Sequence, residues 1–252
     1  LGFDIDVISG EEEARLIYLA ASGYFNLTDI NAIFVDIGGG STELSYSVDA
    51  DLAESITTPL GCSRITQKFV AKHKAKPEEV SKLKKHIDKE LGKIIEDYDI
   101  DKLVFTGGTV NSLAQVYIRR SNMSDSIVKY VDATFLNHLV NELAGKSYED
   151  RGKIPGLEAE RADISLAAAL IVQSLLNHYQ LPGFYSFAGG LRSGITIDLL
   201  NKMGIELIFQ QGDQVDVRYS KLMETGRKYN YEEEHALHVT KLAKKLFDAL
   251  KK

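Results

Sequence analysis

A single cysteine, Cys62, is all that the 252 residues contain. No internal disulfide can form, and the chain reads as one suited to a reducing, cytoplasmic setting. Basic residues are in the minority, with 30 Lys and Arg against 36 Asp and Glu and a net charge of −6. Nucleic acid is held by clustered Lys and Arg, so this balance argues against nucleic acid as the main partner. Long apolar runs are missing as well. The longest, Leu166 to Val172, is far short of the ~20 residues that span a bilayer, and no basic-then-apolar signal segment opens the chain. Position 1 is not a methionine, and the start at Leu1-Gly2-Phe3 leads to the expectation of a piece of a longer protein. What remains is an ordinary globular composition, 44% hydrophobic and 26% charged, with room for one large domain or two small ones.

Ile33-Phe34-Val35-Asp36-Ile37-Gly38-Gly39-Gly40-Ser41-Thr42-Glu43-Leu44 organises this chain. It begins as a β-branched strand and ends in glycines, hydroxyls and a carboxylate. Glycines let backbone N–H groups turn around an anion, so Gly38, Gly39, Gly40, Ser41 and Thr42 are candidate phosphate holders. Asp36 at the strand exit and Glu43 seven residues on are oxygen ligands suited to a hard cation such as Mg²⁺. A phosphate cradle between two carboxylates points to phosphoryl chemistry. An ordinary glycine-rich hairpin turn is the plain alternative, because short motifs match by chance.

The rest of the chain places further elements around this stretch. Residues 4–8 alternate as a strand, and Ser9 then caps a helix that opens on Glu11, Glu12 and Glu13 and ends at Gly23. Capping and solubility explain two of these glutamates, less obviously the one before Ala14-Arg15. Leu44 to Val48 and Glu54 to Pro59 continue the first strand as an antiparallel meander. Helices are expected from Ser63 to about His73 and from Pro77 to Tyr98, the second with a solvated lysine face. Leu103-Val104-Phe105 is a short buried strand, and Gly107, Gly108 and Thr109 follow it before a helix from Val110 to about Ile118. Ligands of α/β sheets sit at strand carboxyl ends, so this turn and the first could converge on one anion. Phe135 to Leu143 reads as a helix, Ser147 to Pro155 as a polar loop, and Glu158 to Tyr179 as the most apolar helix, buried against the sheet. Phe184 to Phe187 is a strand, and Ala188-Gly189-Gly190 makes a third glycine turn before a helix to Met203. Residues 204–217 read as a linker, followed by a helical segment over Tyr219 to Tyr229 and an amphipathic helix from Glu232. His235 and His238 have metal-ligand spacing but no further ligands nearby, so surface or core histidines are the simpler reading.

Taken together, Ile8-Ser9-Gly10-Glu11-Glu12-Glu13-Ala14-Arg15, Asp36 to Leu44, Pro59-Leu60-Gly61, Thr106 to Thr109, Arg161-Ala162-Asp163 and Gly189-Gly190-Leu191 resemble one family. It is the exopolyphosphatase and guanosine pentaphosphate phosphohydrolase family, and the likeness runs from residue 1 to about residue 203. The resemblance implies an α/β, RNase H-like lobe of the actin-like ATPase superfamily, with a mixed sheet and flanking helices. It implies Glu13 as the general base for the attacking water, Asp36 and Glu43 at Mg²⁺, and Gly38 to Thr42 on a phosphate. Arg161 is similar to a substrate-facing arginine, and equally to one that pairs with a neighbouring acid. The implied substrates are polyphosphate or guanosine pentaphosphate, cleaved by water at the terminal phosphoanhydride, and the implied assembly of the full-length protein is a homodimer. The family's N-terminal lobe, with its Asp-Ile-Gly-Ser-Asn loop, has no counterpart here. The expectation is therefore a second lobe, residues 1–203, carrying half of the active site, then the start of an HD-type helical domain containing His238. Two other readings stay open at this point: an actin-like ATPase or sugar kinase, and a non-catalytic sensor of polyphosphate or nucleotide.

Overall fold

The β-branched run read above forms the central strand, β1 (Asn31–Ile37), of a six-stranded sheet. The computed structural model describes residues 7–25, 27–70, 74–95, 98–205 and 238–239. The chain divides into two compact units, Leu1–Asp198 and Leu199–Lys252. In the first unit β1 pairs antiparallel with β2 (Thr42–Val48), which pairs antiparallel with β3 (Asp51–Thr58). The turn between β2 and β3 is made by Asp49 and Ala50, both at positive φ (47° and 66°), the handedness that matches strand twist in a tight hairpin. On the other side of β1 lie β4 (Lys102–Thr106) and β6 (Gly183–Phe187), each parallel to its neighbour, and β5 (Val128–Asp132) closes that edge antiparallel to β6. The order is β3-β2-β1-β4-β6-β5. An antiparallel meander followed by parallel strands reached through helices is the mixed sheet of an RNase H-like lobe, as the resemblance implied.

Helices cover both faces. On one lie α2 (Cys62–Phe69), α3 (Pro77–Leu91), α4 (Gly108–Arg120), α5 (Ala133–Gly145) and α7 (Ser165–His178), packed on Ile33, Val35, Ile37, Leu44, Leu103 and Phe105. On the other, α1 (Gly10–Ser22) sets Tyr18 edge-on to Phe34, ring centroids 5.0 Å apart. This second cover explains why the polar Ser45 and Ser47 are buried; the Ser47 hydroxyl lies 3.2 Å from that of Tyr18. The residues from Leu191 to Lys202 form α8. Among the described residues no helix is long and apolar enough to cross a membrane.

Several boundaries differ from expectation. Of the strand expected at 4–8, residues 4–6 lie outside the described residues, and Val7 and Ile8 have no regular structure. The helix expected to Tyr98 stops at Leu91, where Gly92 caps it by donating to Asp88 O at 2.9 Å; glycine is a poor helix continuer, whatever the apolar period beyond it. The apolar helix expected from Glu158 starts only at Ser165, after a single 3₁₀ turn, Ala159–Arg161. The polar loop at 147–155 contains α6 (Tyr148–Arg151) and a fully buried Arg151, whose Nε donates to Leu143 O at 2.7 Å and whose Nη1 donates to Ala162 O at 3.4 Å. That guanidinium ties the end of α5 to the turn before α7. Strand β5 was not anticipated.

Candidate functional site

Strand parity assembles the first half of the site. Asp36 is the register partner of Glu43 on β2 and of Thr106 on β4, and Glu43 is the partner of Thr57 on β3. Side chains of directly opposed residues share a face, so Thr57, Glu43, Asp36 and Thr106 form one row across four strands. The seven-residue spacing of the two carboxylates is thus the geometry of a hairpin. It is the α1 face that they share, because Phe34, two residues before Asp36, packs on Tyr18 of α1. Thr106 Oγ1 donates to Asp36 Oδ1 at 2.6 Å.

Helix α1 brings Glu13 to the end of this row. Ser9 caps the helix, its hydroxyl accepting from Glu12 N at 3.2 Å. Glu12 is tied down by Arg15 through both carboxylate oxygens, at 2.7 and 2.8 Å, and Arg15 also reaches Asp198 at 2.8 Å. Glu11 is exposed. Glu13 is half-buried and has no side-chain hydrogen bond or ion pair among the described residues, while its charge acts on Glu43. Burial is the first cause that holds the Glu43 carboxyl above its ordinary range; a Ser41 hydrogen bond opposes this, and the charges of Asp36 and Glu13 add to it. Burial likewise raises Asp36, against the Thr106 hydrogen bond. Glu43 therefore feels the charge of both Asp36 and Glu13, and no Lys or Arg is ion-paired to any of the three among the described residues.

The glycine turn between β1 and β2 is shaped by α2. Gly38 N donates to Ser41 O at 3.0 Å. The first amides of α2 donate to the turn's carbonyls: Cys62 N to Gly38 O at 2.9 Å, Ser63 N and Arg64 N to Gly39 O at 3.0 and 3.1 Å. In a trans peptide the N–H points opposite to the C=O, so fixing these carbonyls turns Gly39 N–H and Gly40 N–H away from α2. The approach is so close that a Cβ on Gly61 would collide with Gly39 O and the Gly40 backbone. The Thr42 hydroxyl, a candidate phosphate ligand, is instead fully buried and donates to Leu60 O at 2.8 Å, propping the turn from below. Cys62 is buried, its thiol pushed up to about 12, and reads as packing.

The second glycine turn is built differently. Gly107, at φ 93°, follows β4 and starts α4; a Cβ there would lie 3.0 Å from Ile37 O and 3.1 Å from Asp36 Oδ1. Gly107 has no side chain to cap α4, which leaves first-turn amides unpaired at a helix N-terminus. A cavity of about 360 Å³ opens there, lined by Asp36, Gly107, Gly108, Asn111, Arg161 and residues 187–193. The Arg161 guanidinium occupies the space where a Gly108 side chain would be, while its Nε donates to Glu158 at 2.6 Å. Arg161 thus pairs with a neighbouring acid and also lines the cavity.

Asp36 joins the two halves. Of the candidates, Asp36, Gly107, Gly108 and Arg161 share the cavity; Glu43 lies opposite Asp36 on the neighbouring strand and feels the charge of Glu13; Thr109 is buried in α4. Gly38 to Ser41 do not line the cavity. Asn111 and Arg192, which do, were not among the candidates: Asn111 lies a helical turn beyond its glycine motif, and Arg192 sits in the third glycine turn, from which no site residue was drawn. Among the described residues no group of three or more His, Cys, Asp or Glu is arranged to hold a metal ion. His238 is exposed, and His235 lies outside the described residues.

Known proteins resemble this chain in sequence and fold. Residues 1–203 match the model of the Ppx/GppA phosphatase family. Exopolyphosphatase 1 of Mycobacterium tuberculosis is 27% identical over 205 residues, covering 79% of this chain and 60% of that protein. The Mycobacterium leprae protein of the same name is 27% identical over 231 residues, covering 90% and 67%. This chain thus spans about 60% of the length of the first of these relatives. The crystal structure of the Aquifex aeolicus member of the Ppx/GppA family superposes with a TM-score of 0.73 at 25% identity, covering 81% of this chain and 67% of that one. An exopolyphosphatase from Cytophaga hutchinsonii gives 0.73 at 20% identity over 83% and 68%, a likeness of fold. With four fifths of its length matched, the chain belongs to the Ppx/GppA phosphatase family.

Proposed function

We propose that the full-length protein hydrolyses the terminal phosphoanhydride bond of inorganic polyphosphate, of pppGpp, or of both. The observation that carries this reading is the pairing of Asp36 with Glu43, within reach of the charge of Glu13, beside a cavity edged by the start of α4 and by Arg161. Names of relatives add to it, since the mycobacterial proteins are called exopolyphosphatases. Cleaving a phosphoanhydride needs positioning and charge neutralisation more than covalent help. The α4 amides and Arg161 would hold oxygens of the terminal phosphate, with the outward amides of Gly39 and Gly40 at its other side. Glu13, left without a partner while Glu12 is locked to Arg15, would accept a proton from the attacking water. The water oxygen bonds to phosphorus as the bridging P–O bond breaks, and its electron pair leaves on the shortened chain.

Asp36 and Glu43 fit a hard cation. They are adjacent carboxylates on one face, raised by burial, with no Lys or Arg paired to them among the described residues. Mg²⁺ commonly binds through one or two carboxylates plus substrate phosphates, which accords with a site that has no third protein ligand. When bound there it would offset phosphate charge. The proposal also includes a homodimer and a helical HD-type domain opening after residue 217, as the resemblance implies.

The test is phosphate release by the full-length protein from long-chain polyphosphate and from pppGpp, with Mg²⁺ or a chelator, and with a sugar acceptor present. The expected result is Mg²⁺-dependent release from at least one of the two, and no phosphorylated sugar. Turnover of ATP alone, or transfer to the sugar, would overturn the reading in favour of an ATPase or kinase.

A further inference from the structure

Among the polar side chains of the cavity wall with no part in the reading above, Asn111 has a buried cation beside it. Asn111 lies on α4 one position beyond its first turn, sharing the cavity wall with Asp36, Gly107, Gly108 and Arg161. Its Oδ1 accepts a hydrogen bond from Lys129 Nζ at 3.1 Å. Lys129 belongs to β5, and its side chain is only 2% exposed. The same ammonium donates to Ser126 O at 2.6 Å and pairs with Asp125 Oδ1 at 3.1 Å. Asp125 is in turn held by Gln115 Nε2, at 2.9 Å to each oxygen. The chain of contacts thus leaves α4 at Asn111 and returns to it at Gln115, one turn on.

The chemistry of the ammonium decides how the amide is turned. Lysine has three donors and no acceptor, and here all three have acceptors. The end of Asn111 that faces it must be the oxygen, so the NH₂ end is turned away from Lys129. That NH₂ has no partner among the described residues, and it belongs to the side chain that reaches the cavity while Lys129 does not. An unrestrained amide can rotate to offer either its oxygen or its NH₂; next to a phosphate the oxygen would repel and the NH₂ would bind. Burying an ammonium is costly unless it is fully hydrogen-bonded, and this one is placed so that it removes the repelling orientation.

We infer that Asn111 is a phosphate-binding donor of this site, its NH₂ directed to a non-bridging phosphate oxygen beside Gly108, and that Lys129 is the positioning residue that holds it so. The inference rests on the phosphoanhydride-hydrolase reading and names a further contact to the same substrate. It distinguishes Lys129 from a strut of the β5 edge, which would affect stability without regard to Asn111.

The experiment uses the full-length protein, with calorimetric binding of inorganic tripolyphosphate and steady-state phosphate release. Asn111→Asp keeps the shape, gives Lys129 a carboxylate partner and replaces the donor by an acceptor. It should melt no lower than wild type yet bind tripolyphosphate at least ~10-fold more weakly, mostly as a higher KM, since charge-assisted hydrogen bonds are the strong ones. Asn111→Ala should lose less. Lys129→Met should weaken binding about 3- to 10-fold, and should cost nothing further in the Asn111→Ala background, because partners acting through one another are non-additive. Binding by Asn111→Asp within twofold of wild type overturns the inference, and so does a Lys129→Met loss that is the same with and without Asn111. If Lys129→Met does not fold, Asn111→Asp decides alone. A wild type that neither binds nor cleaves polyphosphates sinks the functional reading, and this inference with it; an active wild type with an unaffected Asn111→Asp sinks the inference only.

Discussion

The two glycine turns that flank Asp36 look alike in sequence and are built in opposite senses. At the β1–β2 turn a helix N-terminus is used up internally, since the α2 amides of Cys62, Ser63 and Arg64 hold the carbonyls of Gly38 and Gly39. At the β4–α4 turn the helix N-terminus faces a cavity, with Arg161 laid across Gly108. One side gathers carboxylates, and the other gathers donors and a guanidinium. A turn rich in glycine therefore does not by itself state what it holds: the neighbouring helix N-terminus is spent on the turn's own carbonyls in one case and left open to a cavity in the other. On the proposed reading the carboxylate side does chemistry and the donor side does binding.

The sharpest way to break that division is Glu13→Gln. If the carboxylate side carries the chemistry, turnover of the full-length protein falls by at least ~100-fold, about 2.7 kcal/mol of barrier. Polyphosphate affinity and melting temperature stay near wild type. Glu11→Gln and Glu12→Gln stay within a few-fold, because one is exposed and the other is engaged by Arg15. Equal losses in all three variants would remove Glu13 from the role of base.

Next in size is the test of how each turn is shaped. Gly61→Ala drives a methyl into the Gly39–Gly40 backbone, and Gly107→Ala puts one close to Ile37 O and Asp36 Oδ1 at positive φ. Each should cost on the order of 2 kcal/mol in chemical denaturation. Gly40→Ala meets nothing within 4 Å and should lie within about 0.5 kcal/mol of wild type. A destabilised Gly40→Ala with a tolerated Gly61→Ala would mean that α2 does not hold the turn.

The smallest effect concerns the uncompensated carboxylates, and its sign is opposite to the usual one. Asp36 is raised by burial, so the folded state holds its proton more tightly than the unfolded chain does. Its contribution is favourable at acid pH and is lost as pH rises through the raised value. In metal-free buffer near neutral pH, Asp36→Asn should melt higher by on the order of 2 °C, since a neutral amide can still accept from Thr106. The advantage should shrink as pH falls and wild type takes up its own proton. A lower melting temperature at neutral pH would show that the carboxylate is already paired.

Much of this site was legible before any tertiary information. The glycine turn between Asp36 and Glu43 already implied an antiparallel hairpin flanked by two acids, and the Ser9 cap fixed where α1 begins, because alternation and capping act over only a few residues. The same locality explains what stayed hidden. Gly92 ended α3 although the apolar period ran on, and Thr42 turned its hydroxyl inward to Leu60, 18 residues away. Strand β5 had only a five-residue alternation to announce it and gained its place by pairing with β6. The sequence by itself determined which residues could bind phosphate and which could hold a cation or a proton. Only the tertiary structure decided that one turn takes up a helix N-terminus while the other opens one to a cavity, that Arg15 reaches Asp198, and that Lys129 fixes the Asn111 amide across 18 residues of chain. Each of those depends on which group docks against which, and docking is a property of the packed sheet and its helices.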